Sequence, residues 1–359
     1  MAARPDTGAG RRAGERGVIS QEEGKGDDMD RRRVMGIGVA AALAGPGLAD
    51  GARAQVMRDE PGYLPGDSTE FVPLWPGTPP GGEGVHQTLK VTDEIEPDGF
   101  HVRAIRQIQT PGFFVWRPAN PNGLGLLIIP GGGYAVEGAD RGGREIAEHF
   151  TALGITCFIL RYRLPAEGWA ARADVPLQDA QRAMRLIREG ARQYHIDPAR
   201  LAAMGFSAGG HLAASLATRH AAPVYDPVDM SDAIPARPMV ACLMYPVVTM
   251  GQGAHAGSVD KLLGPNPSAA AIDANSIERH VPPITVPCFI ALAADDTVVP
   301  PFPNGIALFG ALRQQQIAAA LHVFEEGGHG FSLHWAKGKP CAAWPGLFTA
   351  WAATHGFTA

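Results

Sequence analysis

Leu201-Ala-Ala-Met-Gly-Phe-Ser-Ala-Gly-Gly-His-Leu-Ala-Ala214 is the stretch that decides the fold of this 359-residue chain. Its apolar start predicts a short buried strand over 201–204, and the Ala- and Leu-rich residues 208–218 predict a helix. Between them lies a G-x-S-x-G pattern, in which a serine occupies a sharp strand-to-helix turn with its hydroxyl exposed. Gly205 and Gly209 supply the small residues that this crowded turn needs. We therefore predict that Ser207 is a nucleophile. The alternative is a glycine-rich packing turn, because a chain with 45 glycines can match the pattern by chance.

Strand and helix patterns alternate along most of the chain, which predicts an α/β fold with a mostly parallel central sheet and helices on both faces. Strands are predicted near 124–129, 155–160, 201–204, 239–244, 288–293 and 319–324, and helices near 144–153, 177–194, 208–218, 306–316 and 347–355. This catalytic domain spans 101–359. Its first runs, Val102–Ile108 and Phe113–Arg117, predict an antiparallel start to the sheet. The Pro- and Gly-rich residues 55–100 predict an entry segment along the surface, and residues 246–287 predict an irregular partial lid.

A serine nucleophile needs a general base held by a carboxylate, and folds with this turn place the acid and then the histidine after the serine. Asp295-Asp296-Thr-Val-Val-Pro300 and Glu325-Glu-Gly-Gly-His329-Gly-Phe331 each follow a predicted strand. Adjacent aspartates point in different directions, so only one can serve the histidine. We predict Asp296 as the acid and His329 as the base, with Asp295 as the alternative acid.

Two other histidines compete with His329 as the base. His211 lies one helical turn after Ser207, about 6 Å along an axis that leads away from it. We expect His211 to pack behind the nucleophile. His334 lies in the same loop as His329 and is the next choice. The alternative for His329 itself is a buried structural histidine.

A glycine loop follows the first predicted parallel strand, in Ile129-Pro-Gly-Gly-Gly-Tyr134. Acyl transfer needs hydrogen-bond donors aimed at the oxyanion, and glycines let backbone amides approach the substrate. We predict the amides of Gly132, Gly133 and Ala208 as these donors and Tyr134 as a substrate-binding residue. An ordinary flexible turn is the alternative. A phosphate loop fits less well, because no Lys-Ser/Thr follows and the Rossmann spacing is absent.

Composition excludes several classes of protein. The net charge is −5 and no basic stripe is visible, which argues against a nucleic-acid partner. The four cysteines form no C-x-x-C and the chain has no H-E-x-x-H, so we predict no metal and no cofactor. Two further sets stay open: Asp179 and Arg182 as site residues or ion pairs, and Trp335, Trp344 and Trp351 as a sugar platform or as core and rim.

Residues 1–54 predict an N-terminal extension and a twin-arginine export signal. Asp30-Arg-Arg-Arg-Val-Met35 precedes a weakly apolar run, and Ala52-Arg-Ala54 matches a cleavage site that would leave Gln55 first. The run is too short to span a bilayer, which takes about 20 residues. We expect a periplasmic or secreted protein with no stable membrane insertion after cleavage. Met29 is a plausible true start, and a disordered basic tail is the alternative.

Motifs in a fixed order make the chain resemble the α/β-hydrolase fold of the carbohydrate-esterase type, the exported acetylxylan-esterase-like group. They run over about residues 74–331 and are Pro130-Gly-Gly-Gly-Tyr134, Arg161-Tyr-Arg-Leu-Pro165, Leu177-Gln-Asp-Ala-Gln-Arg-Ala183, Gly205-Phe-Ser-Ala-Gly-Gly-His-Leu212, Leu262-Leu-Gly264, Asp295-Asp296 with Val299-Pro300, and Gly328-His-Gly-Phe331. The resemblance implies hydrolysis of O-acyl groups, above all acetyl, on plant-type polysaccharide or its oligomers. Pro130 departs from the His-Gly-Gly-Gly of lipase-like relatives.

Two other functions are compatible with these residues. A serine peptidase of the prolyl-oligopeptidase type shares the serine turn and the order of the triad, although a propeller-sized N-terminal region is missing. A binding protein on the same fold without catalysis is the other.

Overall fold

The computed structural model describes residues 55–56 and 62–359; the predictions for residues 1–54 lie outside this part. The strands are β1 Gln55–Val56, β2 Glu70–Pro73, β3 Lys90–Ile95, β4 His101–Arg106, β5 Gly112–Trp116, β6 Gly123–Ile129, β7 Glu137–Gly138, β8 Thr156–Arg161, β9 Ile196–Phe206, β10 Ala241–Met244, β11 Cys288–Ala293 and β12 Ala319–Phe324. The α-helices are α1 Glu145–Ala152, α2 Val175–Glu189, α3 Ala208–Arg219, α4 Ala256–Leu263, α5 Ala269–Asn275, α6 Ala307–Gln314 and α7 Trp344–Ala353.

Nine of the strands described over these ranges form one sheet in the order β1-β2-β5-β8-β6-β9-β10-β11-β12. The pairs from β8 to β12 are parallel, and the pairs from β1 to β8 are antiparallel. The remaining strands form a small antiparallel sheet, β3-β4-β7. The mostly parallel sheet predicted from the alternating pattern is therefore confirmed.

The central strands bury both of their faces. Along β6, Leu127 and Ile129 point into one core cluster with α2 and α3, whereas Leu126 and Ile128 point into the other with α1 and α7. This alternation follows from the two-residue period of a strand, and a strand covered on both faces is apolar throughout. Helices thus cover both faces of the sheet, as predicted.

The N-terminal part of the domain differs from its prediction. Residues 55–100 do not only follow the surface: Phe71, Val72 and Leu74 are buried, because β2 pairs with β5 and extends the main sheet. The run Val102–Ile108 does not start that sheet. Its strand β4 pairs with β3 and β7 instead, and only Phe113–Arg117 joins the main sheet, through β5.

Helix α2 is shorter than predicted, because it ends at Glu189 and Gly190 caps it. It also settles the open alternatives for Asp179 and Arg182, which are both buried in ion pairs. Asp179 lies 2.8 Å from Arg163, and Arg182 lies 3.0 Å from Asp232. Both pairs hold loops against the helix. The side chains of both ion pairs are buried and do not lie on the surface of the helix.

The four cysteines, Cys157, Cys242, Cys288 and Cys341, are buried free thiols. Burial raises the pKa of each of them. They therefore pack as small apolar side chains. Among the helices of the described residues, none combines the length and the apolar character needed to cross a membrane.

Candidate active site

Ser207 occupies the sharp turn between β9 and α3. Its backbone has φ 55° and ψ −117°, a strained conformation for a residue with a side chain. The amide of Ser207 donates to the carbonyl of Met244 at 3.0 Å, and its carbonyl accepts from Val247 at 3.0 Å. A Cβ on Gly209 would lie only 2.3 Å from the carbonyl oxygens of Ile129 and Pro130, which explains the glycine after the serine. The turn is thus clamped between β6 and β10.

His329 and Asp296 follow two parallel strands, β12 and β11, and His329 contacts Ser207. His329 Nε2 lies 2.8 Å from Ser207 Oγ, and His329 Nδ1 lies 2.7 Å from Asp296 Oδ2. The second carboxylate oxygen of Asp296 accepts the amides of Val298 and Val299 at 2.9 and 2.8 Å. These bonds fix the carboxylate, whose side chain is 1% exposed, whereas that of His329 is 18% exposed. The structure brings the three predicted residues into one hydrogen-bonded chain.

Asp295 does not contact His329 through its carboxylate. Its Oδ1 accepts the amide of Gly328 at 2.8 Å, and this hydrogen bond lowers the pKa of Asp295. Asp295 is an exposed side chain that holds the loop carrying the histidine. The geometry therefore favours Asp296 over the alternative acid.

The glycine loop after β6 lies beside Ser207. Gly131, Gly132 and Gly133 line the same cavity as Ser207 and His329. Gly132 has φ 130°, and a Cβ there would lie 2.1 Å from the carbonyl of Val136, so only glycine fits. Ala208 begins α3 directly after the serine, where the amides of a helix N-terminus favour negative charge. Two of the predicted oxyanion donors, Gly132 and Gly133, therefore line the cavity of Ser207, and the third, Ala208, directly follows the serine.

Tyr134 does not line this cavity, which corrects its prediction as a substrate-binding residue. Its left-handed backbone, φ 59°, turns the side chain into the core, where it is 1% exposed. A buried phenol needs a hydrogen-bond partner, and Tyr134 lies 2.8 Å from Nδ1 of His211. His211 is buried as well, with Nε2 2.9 Å from the carbonyl of Asn275. It packs behind Ser207, as its helical position implies.

Residues 246–287 are more regular than predicted, because they contain helices α4 and α5. His255 caps α4 and reaches the cavity. Its Nδ1 accepts the amide of Ser258 at 3.2 Å, so the neutral ring carries its proton on Nε2. Burial, and then the nearby His329, lower the pKa of His255. This segment therefore adds a neutral hydrogen-bond donor to a cavity of about 270 Å³.

The BD-FAE family model matches residues 120–304, just over half of the chain, and covers the glycine loop, Ser207, His255 and Asp296. The chain belongs to the BD-FAE family. His329 follows the matched part, and its contact with Ser207 links the two regions.

This BD-FAE chain is similar to two longer curated proteins. It is 38% identical over 221 residues to endo-1,4-beta-xylanase B of Butyrivibrio fibrisolvens, a match that covers 62% of this chain and 34% of the relative. It is 30% identical over 223 residues to an acetylxylan esterase of Xylanibacter ruminicola, covering 60% and 42%. The match thus spans less than half the length of either relative.

Solved structures show the same fold. An acetyl ester-xyloside bifunctional hydrolase from Caldicellulosiruptor lactoaceticus matches with a TM-score of 0.66 and 27% identity, over 83% of this chain and 100% of the other. The carboxylesterase Cest-2923 of Lactobacillus plantarum matches with a TM-score of 0.58 and 23% identity, over 75% and 99%. The α/β-hydrolase fold implied by the motifs is confirmed.

The alternative base, His334, lies outside the cavity of the BD-FAE chain. Its Nε2 is 3.1 Å from Asp98 and 3.4 Å from Glu96. Within the described residues, these three side chains form a group whose ligand atoms lie within 4.8 Å of one another, close enough to hold a metal ion. The contacts of His334 Nε2 already link the three side chains, and none of the three lines the cavity that contains Ser207.

The three tryptophans do not form a common platform. Trp344 is fully buried and donates to the carbonyl of Ser332 at 2.7 Å, and Trp351 packs against Phe289. Trp335 lies under the guanidinium of Arg141, whose centre is 3.4 Å from the ring centroid. The three tryptophans are therefore core and rim residues, the alternative to a sugar platform that the sequence left open.

Sequence reasoning missed Arg141 and His255, which both line the cavity. Arg141 lies on a π-helical turn, Asp140–Arg144, that leads into α1. Such turns are uncommon and occur often at functional sites, but no sequence pattern announces one. His255 was only one of the 12 histidines of the chain, and it lay in a segment that was predicted to be irregular.

Proposed function

We propose that this chain is a serine carboxylic-ester hydrolase that removes short O-acyl groups, above all acetyl, from carbohydrate such as xylan. The observation that carries the proposal is the hydrogen-bonded chain from Ser207 through His329 to Asp296 beside a glycine loop. The names of the similar proteins, an acetylxylan esterase and an acetyl ester-xyloside hydrolase, support the substrate class.

The geometry supports a two-step reaction. Ser207 Oγ attacks the acyl carbonyl while His329 Nε2 takes the hydroxyl proton and then returns it to the leaving alkoxide. Water then attacks the acyl carbonyl while His329 takes its proton, and this proton passes to Ser207 Oγ as the bond between Ser207 and the acyl group breaks and the acid is released. Asp296 keeps the proton of the neutral ring on Nδ1 and stabilises the imidazolium. The amides of Gly132, Gly133 and Ala208 would stabilise the oxyanion; one such donor is worth about 10²–10³ in kcat.

The test is the nucleophile itself. A fluorophosphonate should label the wild-type protein at Ser207, and hydrolysis of 4-nitrophenyl acetate and acetylated xylan should disappear in Ser207→Ala. The fold should stay cooperative, because one hydroxyl is lost and its removal leaves the sheet and both core clusters intact. Peptide substrates form the comparison arm for the peptidase alternative. Unlabelled protein with no ester turnover would favour the binding protein, and faster peptide cleavage would favour the peptidase.

Export is part of the same proposal. The arginines 31–33, the weakly apolar run and Ala52-Arg-Ala54 support transport by the twin-arginine route to a carbohydrate outside the cytoplasm. N-terminal sequencing of the exported protein should begin at Gln55. Replacing arginines 31–33 by lysine should leave the precursor in the cytoplasm, and an unprocessed wild-type protein there would contradict the proposal.

A further inference from the structure

Arg141 places a positive charge on the wall of the cavity that contains Ser207. Its Nη1 lies 3.3 Å from the position that a Cβ would take on Gly330, the residue directly after His329. Both Arg141 and Gly330 line the cavity. A substrate that covers Ser207 and His329 therefore lies within reach of the guanidinium.

Arg141 is held through both its side chain and its backbone. Its guanidinium stacks on Trp335 at 3.4 Å, and the indole Nε1 of Trp335 donates to Glu96 at 2.9 Å. The backbone carbonyl of Arg141 accepts from the hydroxyl of Ser332. Stacking covers one face of the planar group and leaves its N–H edge for a ligand, which lowers the entropic cost of binding.

The other charges of the cavity neutralise one another. Arg103 and Asp140 also line it, but Arg103 Nε donates to both carboxylate oxygens of Asp140 at 3.0 Å. Within residues 62–359, no carboxylate lies within 4 Å of the Arg141 guanidinium, and Glu96 and Glu145 act on it only from a distance. Burial lowers the pKa of Arg141, as expected for a cation without a close counter-ion. The cavity therefore has a surplus of positive charge.

We propose that Arg141 makes this site selective for esters that carry a carboxylate close to the scissile bond. The inference rests on the proposed esterase function and names its substrate class. The fork of an arginine binds a carboxylate through two parallel hydrogen bonds. On a polysaccharide the carboxylate belongs to the alcohol side, as a uronic acid beside the acylated hydroxyl. On a dicarboxylic half-ester it belongs to the acyl side.

Two pairs of matched esters separate these sources. For the alcohol side, 4-acetoxybenzoate is compared with neutral 4-acetoxybenzamide. For the acyl side, the mono-4-nitrophenyl ester of succinic acid is compared with that of succinamic acid, and the rate with Ser207→Ala is subtracted as background. In at least one pair, kcat/KM should favour the charged ester by about tenfold, the scale of a charge-assisted hydrogen bond. Raising the ionic strength to about 1 M should weaken that preference.

The preference is then followed through variants. Arg141→Gln should bring the charged-to-neutral ratio close to one, and Arg141→Lys should keep part of it, because the charge remains and the fork is lost. Arg144→Gln is the matched control, since Arg144 lies on the same turn but pairs with Asp67 and Glu148, which all lie outside this cavity. Its ratio should equal that of the wild type.

The outcomes separate the two proposals. A wild-type ratio near one in both pairs, or a ratio that Arg141→Gln leaves unchanged, overturns the role of Arg141. That result leaves the esterase intact if the neutral esters are still cleaved through Ser207. No Ser207-dependent turnover of any ester overturns the esterase itself. The wild-type ratio and its salt dependence need no variant, so a poorly folding Arg141→Gln would not remove the test.

Discussion

His211 lies one turn after Ser207 on helix α3, whereas His329 lies 122 residues away in the loop after β12. Both rings make two hydrogen bonds. His211 contacts the hydroxyl of Tyr134 and the carbonyl of Asn275, and His329 contacts the hydroxyl of Ser207 and the carboxylate of Asp296. The two histidines differ in that only His329 contacts a carboxylate and is partly exposed to solvent. His211 is 2% exposed, and burial lowers its pKa to about 4.

The comparison separates a structural histidine from a proton carrier. A carboxylate compensates the charge that a histidine gains on taking a proton, and a carbonyl with a phenol compensates it far less. Proximity in sequence to the nucleophile carries no weight, because α3 leads away from the cavity. His329 faces the serine because it lies in the loop after the carboxyl end of β12.

The largest expected effect tests this division directly. His329→Ala should lower kcat for 4-nitrophenyl acetate by roughly 10⁴- to 10⁶-fold, because the general base is lost. His211→Gln, whose amide can still bond both buried partners, should change kcat less than about tenfold and act on stability instead. Initial rates and urea unfolding of both variants measure this. A larger kinetic effect at His211 would reverse the comparison.

The second test removes the carboxylate that distinguishes the two histidines. Asp296→Asn should lower kcat by about 10⁴-fold, since an amide favours the wrong tautomer of His329. Asp295→Asn is the control and should lower it less than about tenfold, because Asp295 holds only the amide of Gly328. Steady-state kinetics of the two variants decide the order. Equal losses of kcat in the two variants would mean that the position of the loop that carries His329, and not the carboxylate of Asp296, limits catalysis.

A third test concerns the pH dependence of stability. Below pH 6.5 the unfolded chain protonates His211, while the folded chain, with a pKa of about 4, does not. Unfolding therefore gains protons, and about 3 kcal/mol of stability, present above pH 6.5, should be lost as the pH falls toward 4. Urea unfolding of wild type and His211→Gln at pH 7 and pH 4.5 isolates this part. Identical losses in both proteins would assign the effect to other groups.

The smallest effect concerns the space on the two sides of Ser207. The side toward His211 is filled, and the side toward His329 is a cavity of about 270 Å³ bounded by His255 and the glycine loop. Each buried CH₂ would add ~0.8 kcal/mol only in a continuous apolar groove. We expect kcat/KM to fall about tenfold or more from 4-nitrophenyl acetate to the octanoate. A rise with chain length would make this a lipase-like site.

The sequence predicted the parts of the site that follow from topology. Parallel strands end at one edge of the sheet, so residues after β9, β11 and β12 had to meet there, and the glycines around Ser207 mark the turn. Asp296 and His329 were found by this rule and by the order of the triad, without any contact information.

What the sequence did not predict depends on local backbone geometry. Tyr134 was predicted to bind the substrate, but its backbone has a positive φ and its side chain is buried in the core. Arg141 comes to the cavity through a π-helical turn, and Trp335 fixes it from 194 positions further along the chain. Neither contact has a periodic pattern. The positions of side chains on irregular backbone therefore cannot be predicted from the periodicity of the sequence.

The backbone of Ser207 has a consequence for how this protein can change over time. A residue with φ 55° and ψ −117° costs on the order of 1–3 kcal/mol, and this cost persists only because β6 and β10 hold the turn. Selection for the exposed hydroxyl therefore opposes selection for a more stable fold at this one position. If selection for the reaction ceased, a Ser207→Gly substitution would remove the backbone strain and the nucleophile together. The protein would then keep its fold and lose its activity.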